Sequence, residues 1–401
     1  YLPTMAASVG DASWKGRDVL AVDDFSDEML RAVFSAAVRM REMVLARGAS
    51  DLLKGRILAN VFYEPSTRTM SSFDAAMKRL GGQVISVSEA TSSAKKGETI
   101  EDTVRCLECY CDALVLRHPE EGTLGRAAAA AAKPVINAGD GVGEHPTQAL
   151  LDLFTMATAA VGPAPATPAT NAQSPVDCLG GKTLTLLGDL KHGRTTHSLA
   201  LLCSRLARPP RLVLVSPAEL SMPASICAQP YLSPTQPVSA QNKRLRCQPT
   251  VTTRPAAPTT PPTRDRRPLA GFYDPYPREP PGLYLDPGQT LTSRGVVFEQ
   301  QSDLSQVLAT TDVLYVTRVQ KERFSSEEEY ARVAGSYVVS AELMAKAPAH
   351  TLVLHPLPRV DEISRDFDSD PRAKYFEQMA NGMYVRMALL ALVLGADLDK
   401  L

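Results

Sequence analysis

Strand-like apolar runs and helical spacings alternate along most of this chain. DEMLRAVFSAAVRMREMVLARG reads as an opening helix. Strand-like runs then follow at 56–62, 83–87, 113–116 and 134–138. Between the first two, Met70, Phe73, Met77 and Leu80 repeat at helical spacing before the stop Gly81-Gly82. The alternation resumes later with strand TLTLL, helix THSLALLCSRL, strands RLVLV and VVFEQ, helix DLSQVLATT, and strands DVLYVT and TLVLH. A last helical segment, 375–394, is apolar nearly all round in its second half and is expected to be buried. The pattern predicts an α/β protein of two doubly wound parallel-sheet domains linked by helices.

Two stretches break the pattern. VGPAPATPATNAQSPVD reads as a surface loop near the domain junction. Fifteen of the 31 prolines fall between Pro223 and Pro287, in text such as TVTTRPAAPTTPPTRDRRP that cannot form a packed core. This predicts a proline-rich insertion at about 223–287 in the second domain. Its P-x-x-P pieces arise readily from composition, so a solvated loop is expected ahead of a recruitment site. The expected divisions are 1–158 for the first domain, 159–373 for the second, and 374–401 for a C-terminal helix packing back on the first.

Composition narrows the classes. With 401 residues and 44% hydrophobic content, the chain can fill two cores. Lys plus Arg number 43 against 44 Asp plus Glu, so nothing global favours nucleic acid or a membrane surface, and any anion site must come from local placement. No apolar run reaches a membrane span, and the N-terminus lacks a signal-peptide pattern. The seven cysteines are scattered except for Cys106, Cys109 and Cys111, which read as buried thiols on a helix and not as metal ligands. A cytoplasmic, reducing location is expected, with organelle targeting by a preceding segment left open.

The chemistry gathers at strand ends. FYEPSTRTMSSF follows an apolar run and turns helical, which puts Ser66, Thr67, Arg68 and Thr69 where the free N–H groups of a helix start point outward. Hydroxyls and a guanidinium there suit a phosphate; an N-cap with an exposed arginine is the equal alternative on this tetrapeptide alone. The other strands shift the balance, because ligands of parallel sheets bind beyond the carboxyl ends. SEATSSAKKGET supplies Ser92 and Lys96, VLRHPEEG supplies Arg117, and GDGVGEHPTQALLDLF supplies His145 and Gln148.

Together these segments carry a resemblance. FYEPSTRTMSSF, KKGETIEDT, VLRHPEEG, HPTQALLDLFT, GDLKHGRTTHSL, VLYVTRVQKERF, LHPLPR and NGMYVRMALLALVL stand in the order found in the aspartate carbamoyltransferases, which this sequence resembles over nearly all of its length outside the insertion and the junction loop. The resemblance implies transfer of the carbamoyl group of carbamoyl phosphate to the α-amine of L-aspartate, an early step of de novo pyrimidine biosynthesis. It implies no cofactor and no metal. Ser66, Thr67, Arg68 and Thr69 would hold the phosphate, with Arg117 bridging to the carbamoyl group. Thr69, Arg117 and His145 would bond the carbonyl oxygen and Gln148 the nitrogen, so that preorganised donors meet the charge that grows on oxygen as the amine attacks.

For the second substrate, the resemblance implies Arg194, Thr195, Arg318 and Gln320 as carboxylate ligands, and Pro356 with the backbone carbonyl of Leu357 as the partner of the amine. His355 is left a structural role. Ser92 and Lys96 would reach into a neighbouring copy's site, making a homotrimer the active unit, with Lys96 also touching aspartate. Arg386 would order the loop that carries Arg318. The rivals are an ornithine-type carbamoyltransferase, against which no cysteine follows His355, and a catalytically idle scaffold working through the insertion. A nicotinamide dehydrogenase is excluded because LLGDLKHGRTTH lacks G-x-G-x-x-G. Deleting about 227–281 is expected to leave a folded enzyme, since long surface insertions carry little closure entropy; insoluble protein would refute this.

Overall fold

The structure, a computed structural model, describes residues 14–89, 92–161, 175–227 and 296–401. Two separate parallel sheets are present. The first contains β1 (Ile57–Phe62), β2 (Gln83–Ser88), β3 (Ala113–His118) and β4 (Val135–Asp140) in the order β2-β1-β3-β4. The second contains β5 (Thr183–Leu187), β6 (Arg211–Val215), β7 (Phe298–Gln301), β8 (Val313–Val316) and β9 (Leu352–Leu354) in the order β7-β6-β5-β8-β9. Strand order reverses at β1/β3 in one sheet and at β5/β8 in the other. At such reversals successive crossovers leave to opposite faces and a crevice opens beyond the carboxyl ends. Phe62 pairs with Arg117, and Leu187 with Val316, so each crevice begins where the sequence turns polar.

Helices α1 (Asp27–Arg47), α2 (Thr67–Arg79), α3 (Ile100–Leu107), α4 (Thr123–Ala130), α5 (Pro146–Val161) and α6 (Arg194–Ser204) follow in chain order. The C-terminal helix, Tyr375–Val393, packs against α1, α2 and α5, and its second half is buried on every side, as an unbroken apolar run requires. Phe34 of α1 meets Phe154 of α5 edge to face at 5.4 Å within the same core. α5 also packs on α6. The helix carrying His145's segment therefore bridges the layers under both crevices.

Several expectations need correction. The segment 303–311 forms two 3-10 turns, Leu304–Gln306 and Leu308–Thr310, in place of one helix; Asp303 caps the first by accepting from Ser305 N, and β-branched Val307, Thr310 and Thr311 favour the tighter, interrupted path. Cys106 and Cys109 are exposed and only Cys111 is buried, because α3 ends at Leu107. Burial pushes the Cys111 thiol up to about 11. Pro223 to Cys227 belong to the packed structure, with Cys227 only 1% exposed, so a deletion must start after it. The rest of the proline-rich region, 228–295, lies outside the described residues, as does most of the junction loop, 162–174.

Among the described residues no helix is long and apolar enough to cross a membrane, and no group of His, Cys, Asp or Glu is arranged to hold a metal ion. Leu389→Ala, at a fully buried position of the C-terminal helix, is expected to cost about 2–5 kcal/mol through lost burial and the residual cavity; an unchanged thermal melting profile would contradict this packing.

Candidate active site

The two crevices face each other across one cleft of about 480 Å³. Its walls carry Ser66, Thr67, Arg68, Thr69, Arg117, His145, Gln148, Arg194, Thr195, Arg318, Gln320, Pro356, Leu357 and Arg386. Thirteen positions expected from six separate strand ends, and Arg386 from the C-terminal helix, thus converge. Ser92 and Lys96 do not line it: Lys96 is exposed in the 3-10 turn Ser93–Lys96, and Ser92 Oγ donates to Glu89 O at 3.2 Å.

At the phosphate-type corner, Ser66 sits at the N-cap of α2, yet its hydroxyl makes no capping bond. A plain N-cap would have spent that oxygen on the helix. Ser66, Thr67 and Arg68 instead line the cleft, and Thr69 is buried beside them. Arg68 donates from Nη2 to Leu357 O at 2.7 Å, joining the first crevice to the HPLPR turn of the second. Burial and the nearby Arg318 lower its pKa.

The HPLPR turn is built around a residue with an unfavourable backbone. Leu357 has φ 52°, a conformation that costs a non-glycine residue on the order of 1 kcal/mol. It is held by His355, whose Nδ1 accepts from Leu357 N at 2.8 Å. Since the backbone N–H can only donate, the ring proton must sit on Nε2, which lies 2.7 Å from Glu362 Oε1. His355 is therefore structural, as expected, but its structure sets the direction of the Leu357 carbonyl.

Charge dominates the cleft. Five arginines and two glutamates line it, an excess of three positive charges among fixed ions. Glu64, which the sequence reading passed over inside YEPSTRT, accepts from Arg117 Nη2 at 3.1 Å and Arg194 Nη2 at 3.0 Å, one from each crevice. Arg117 also donates to Ala138 O and Arg194 to Gly141 O. Burial, then Arg194, pushes Arg117 down to about 10, so it remains a cation at neutral pH. Arg318 is paired with Glu322. Asp189 was also missed: it accepts from His192 N at 3.0 Å and Gln320 N at 3.2 Å, tying together the loops after β5 and β8.

His145 is buried at the start of α5, its backbone N–H donating to Ser198 Oγ at 2.9 Å. Burial first, and then Arg117, Arg194 and Arg386, hold its pKa well below the usual imidazole range. Burial therefore favours the neutral ring, whose buried Nδ1 has no hydrogen-bond partner among the described residues. Arg386 Nη1 donates to Ser72 Oγ at 3.0 Å, and the guanidinium lies 5.1 Å from the Phe73 ring, so it braces α2. Short side chains at Ser72 and Gly382 leave it that path.

Comparison with known proteins shows the family. Residues 17–158 match the aspartate/ornithine carbamoyltransferase carbamoyl-P binding domain, and 283–393 the Asp/Orn binding domain. The aspartate carbamoyltransferase catalytic subunit of Thermococcus kodakarensis is 40% identical over 95% of this chain and 98% of its own length. The chain belongs to the aspartate/ornithine carbamoyltransferase family. Like this chain, aspartate transcarbamoylase of Trypanosoma cruzi solved with carbamoyl phosphate and aspartate has the family fold, with a TM-score of 0.72 and 35% identity over 96% of this chain and 98% of that one. The multifunctional protein pyr1-3 of Dictyostelium discoideum is 41% identical over 98% of this chain, which spans only 14% of that protein's length.

A buried neutral His145 has a direct test. Its imidazole nitrogens are expected to keep neutral-ring NMR shifts at about pH 5.5, where exposed imidazoles are mostly protonated; a midpoint near 6.5 would contradict the burial argument.

Proposed function

We propose that this chain transfers the carbamoyl group of carbamoyl phosphate to L-aspartate, giving N-carbamoyl-L-aspartate and phosphate, early in pyrimidine biosynthesis. The observation that carries the reading is the charge match. Carbamoyl phosphate brings about two negative charges at neutral pH and aspartate one, against the three unbalanced guanidiniums of the cleft. An ornithine zwitterion would bring a side-chain cation to Arg194 and Arg318. The Thermococcus kodakarensis and Trypanosoma cruzi relatives, aspartate enzymes matched over nearly their full length, support the same substrate.

In this reading Ser66, Thr67, Arg68 and Thr69 take the phosphate, and Arg68 leaves the Leu357 carbonyl to do so. That exchange frees the carbonyl to accept from the α-amine of aspartate. Attack of the amine on the carbamoyl carbon builds charge on its oxygen, where Thr69, Arg117 and neutral His145 donate. A neutral ring suits this task, because it stabilises the oxygen without adding a further cation to a cleft already rich in them. Phosphate leaves with the electron pair of the broken C–O bond, and the amine proton is shed as the ureido product forms. Arg194, Thr195, Arg318 and Gln320 hold the carboxylates, for which Glu64 and Glu322 yield part of their hold on the guanidiniums.

Ser92 and Lys96 act in a neighbouring copy's cleft in this reading, in a homotrimer; that neither lines this chain's own cleft supports it. Residues 1–158 form the carbamoyl-phosphate domain and 159–373 the aspartate domain, with 374–401 packing back on the first.

The test is product formation from carbamoyl phosphate with L-aspartate and, in parallel, L-ornithine. Ureido product with aspartate alone is expected; product with ornithine would overturn the assignment of Arg194 and Arg318. Arg68→Ala should lower kcat/KM for carbamoyl phosphate by at least about a thousandfold while leaving the assembly intact, and wild-type kinetics in it would sink the phosphate assignment.

A further inference from the structure

Beneath the cleft floor runs a chain of buried polar groups that reaches the cleft at Gln148 and whose other members the transfer step does not use directly. It starts at a group whose polarity no rotation can change, the backbone N–H of His355, which donates to Gln378 Oε1 at 2.9 Å. With its oxygen engaged, Gln378 presents its amide nitrogen to Asp152, and Nε2 lies 2.6 Å from Oδ1. A donor at that position makes Oδ1 an acceptor. Gln148, one helical turn before Asp152 on α5, reaches the same Oδ1 at 2.8 Å and must therefore donate to it through Nε2. The side chains of Asp152 and Gln378 are fully buried, and Gln148 is 6% exposed where it meets the cleft.

Asp152 Oδ2 meets the Tyr315 hydroxyl at 2.8 Å, on β8 of the second sheet. Burial raises Asp152 to about 7, but the polarity of the chain does not depend on its charge. A proton on Asp152 sits on Oδ2, facing a hydroxyl that can donate or accept. In both states Gln148 Nε2 is held inward and its Oε1 is the atom left for the cleft.

We propose that Asp152 is a positioning residue that fixes the amide orientation of Gln148, so that the site selects acyl phosphates bearing an N–H2 group over those bearing a methyl group. This rests on the reading of Gln148 as the group facing the carbamoyl nitrogen. An acceptor there bonds the donor's N–H; a flipped amide would set N–H against N–H and leave both unpaired, a mismatch that costs far more than an absent contact.

The relay can be inverted without changing its shape or net charge. In Asp152→Asn/Gln378→Glu, the carboxylate introduced at position 378 accepts from His355 N–H with one oxygen. Its other oxygen draws the new amide nitrogen at position 152, so Gln148 must turn its oxygen inward. Binding of carbamoyl phosphate, acetyl phosphate and inorganic phosphate is measured by calorimetry. The double variant is expected to bind carbamoyl phosphate about 10–100-fold more weakly while the other two ligands change less than about threefold. Asp152→Asn alone, whose oxygen fills the same acceptor position, is expected to keep the wild-type ratio.

An unchanged ratio in the double variant, or parallel loss of all three ligands, overturns the proposal. Should the double variant fail to fold, Asp152→Ala admits water, which donates and accepts equally, and a retained preference there overturns it too. Because the readout is binding, it stands apart from the aspartate assay: a wild-type chain that fails to transfer to aspartate sinks the proposed function, while the carbamoyl-to-acetyl ratio still judges the relay.

Discussion

Five guanidiniums crowded around one cleft set the terms for the rest of the structure. Like charges repel strongly where water is scarce, and the pKa of Arg117 is lowered first by burial and then by Arg194. Glu64 is the main counterweight because it touches Arg117 and Arg194 at once. A buried ion cluster of this kind is weak evidence for stability, since desolvation consumes most of the Coulomb gain. Its value lies in what it can accept: anions that replace the glutamates find donors already desolvated and aimed.

Holding such a cluster requires rigid surroundings. The fold provides them by turning two strand-order reversals toward each other and laying α5 and the C-terminal helix underneath. Four of the cationic side chains stand at or just after the ends of strands paired on both sides, Arg117 on β3, Arg68 and Arg194 in the first turns of α2 and α6, and Arg318 after β8, and Asp189 and Glu64 then tie these segments together. The C-terminal helix buries its apolar second half and contributes Arg386 to the cleft from its buried face. A single element thus sustains the core and the site.

The strands and the long helices were legible because burial on both faces of a parallel sheet writes continuous apolar runs, and strands at 57–62, 183–187 and 211–215 begin and end within a residue of those runs. The donors of the cleft were legible because they follow strand ends. What the sequence hid was the acceptors. Glu64, Asp189 and Asp152 sit in motifs chosen for their neighbours, and a lone carboxylate carries no local pattern that tells a solvated charge from a clamp between distant loops. The partners of Arg386 were hidden for a related reason: Ser72 and Phe73 lie more than 300 positions away along the chain, and only packing of the C-terminal helix on α2 selects them. The turns at 304–310 failed differently, through apolar spacing that suits a helix and a backbone that β-branching tightens.

Charge and polarity are controlled by different means in this cleft. The guanidiniums respond to any anion, and phosphate, sulfate and dicarboxylates all satisfy them to some degree. Polarity is stricter, because each relay begins at a backbone N–H. Leu357 N–H fixes the tautomer of His355 and so the strained turn that aims a carbonyl; His355 N–H fixes Gln378, then Asp152, then Gln148. Both chains originate within the same three residues, HPL, and run in opposite directions, one toward Glu362 and one toward α5. A peptide N–H neither titrates nor rotates, so the donors and acceptors it fixes keep their sense across pH and through exchange of the ions around them. In the proposed function the arginines can then be numerous enough to draw two anions together, because telling one acyl phosphate from another would be left to groups whose direction the backbone has already decided.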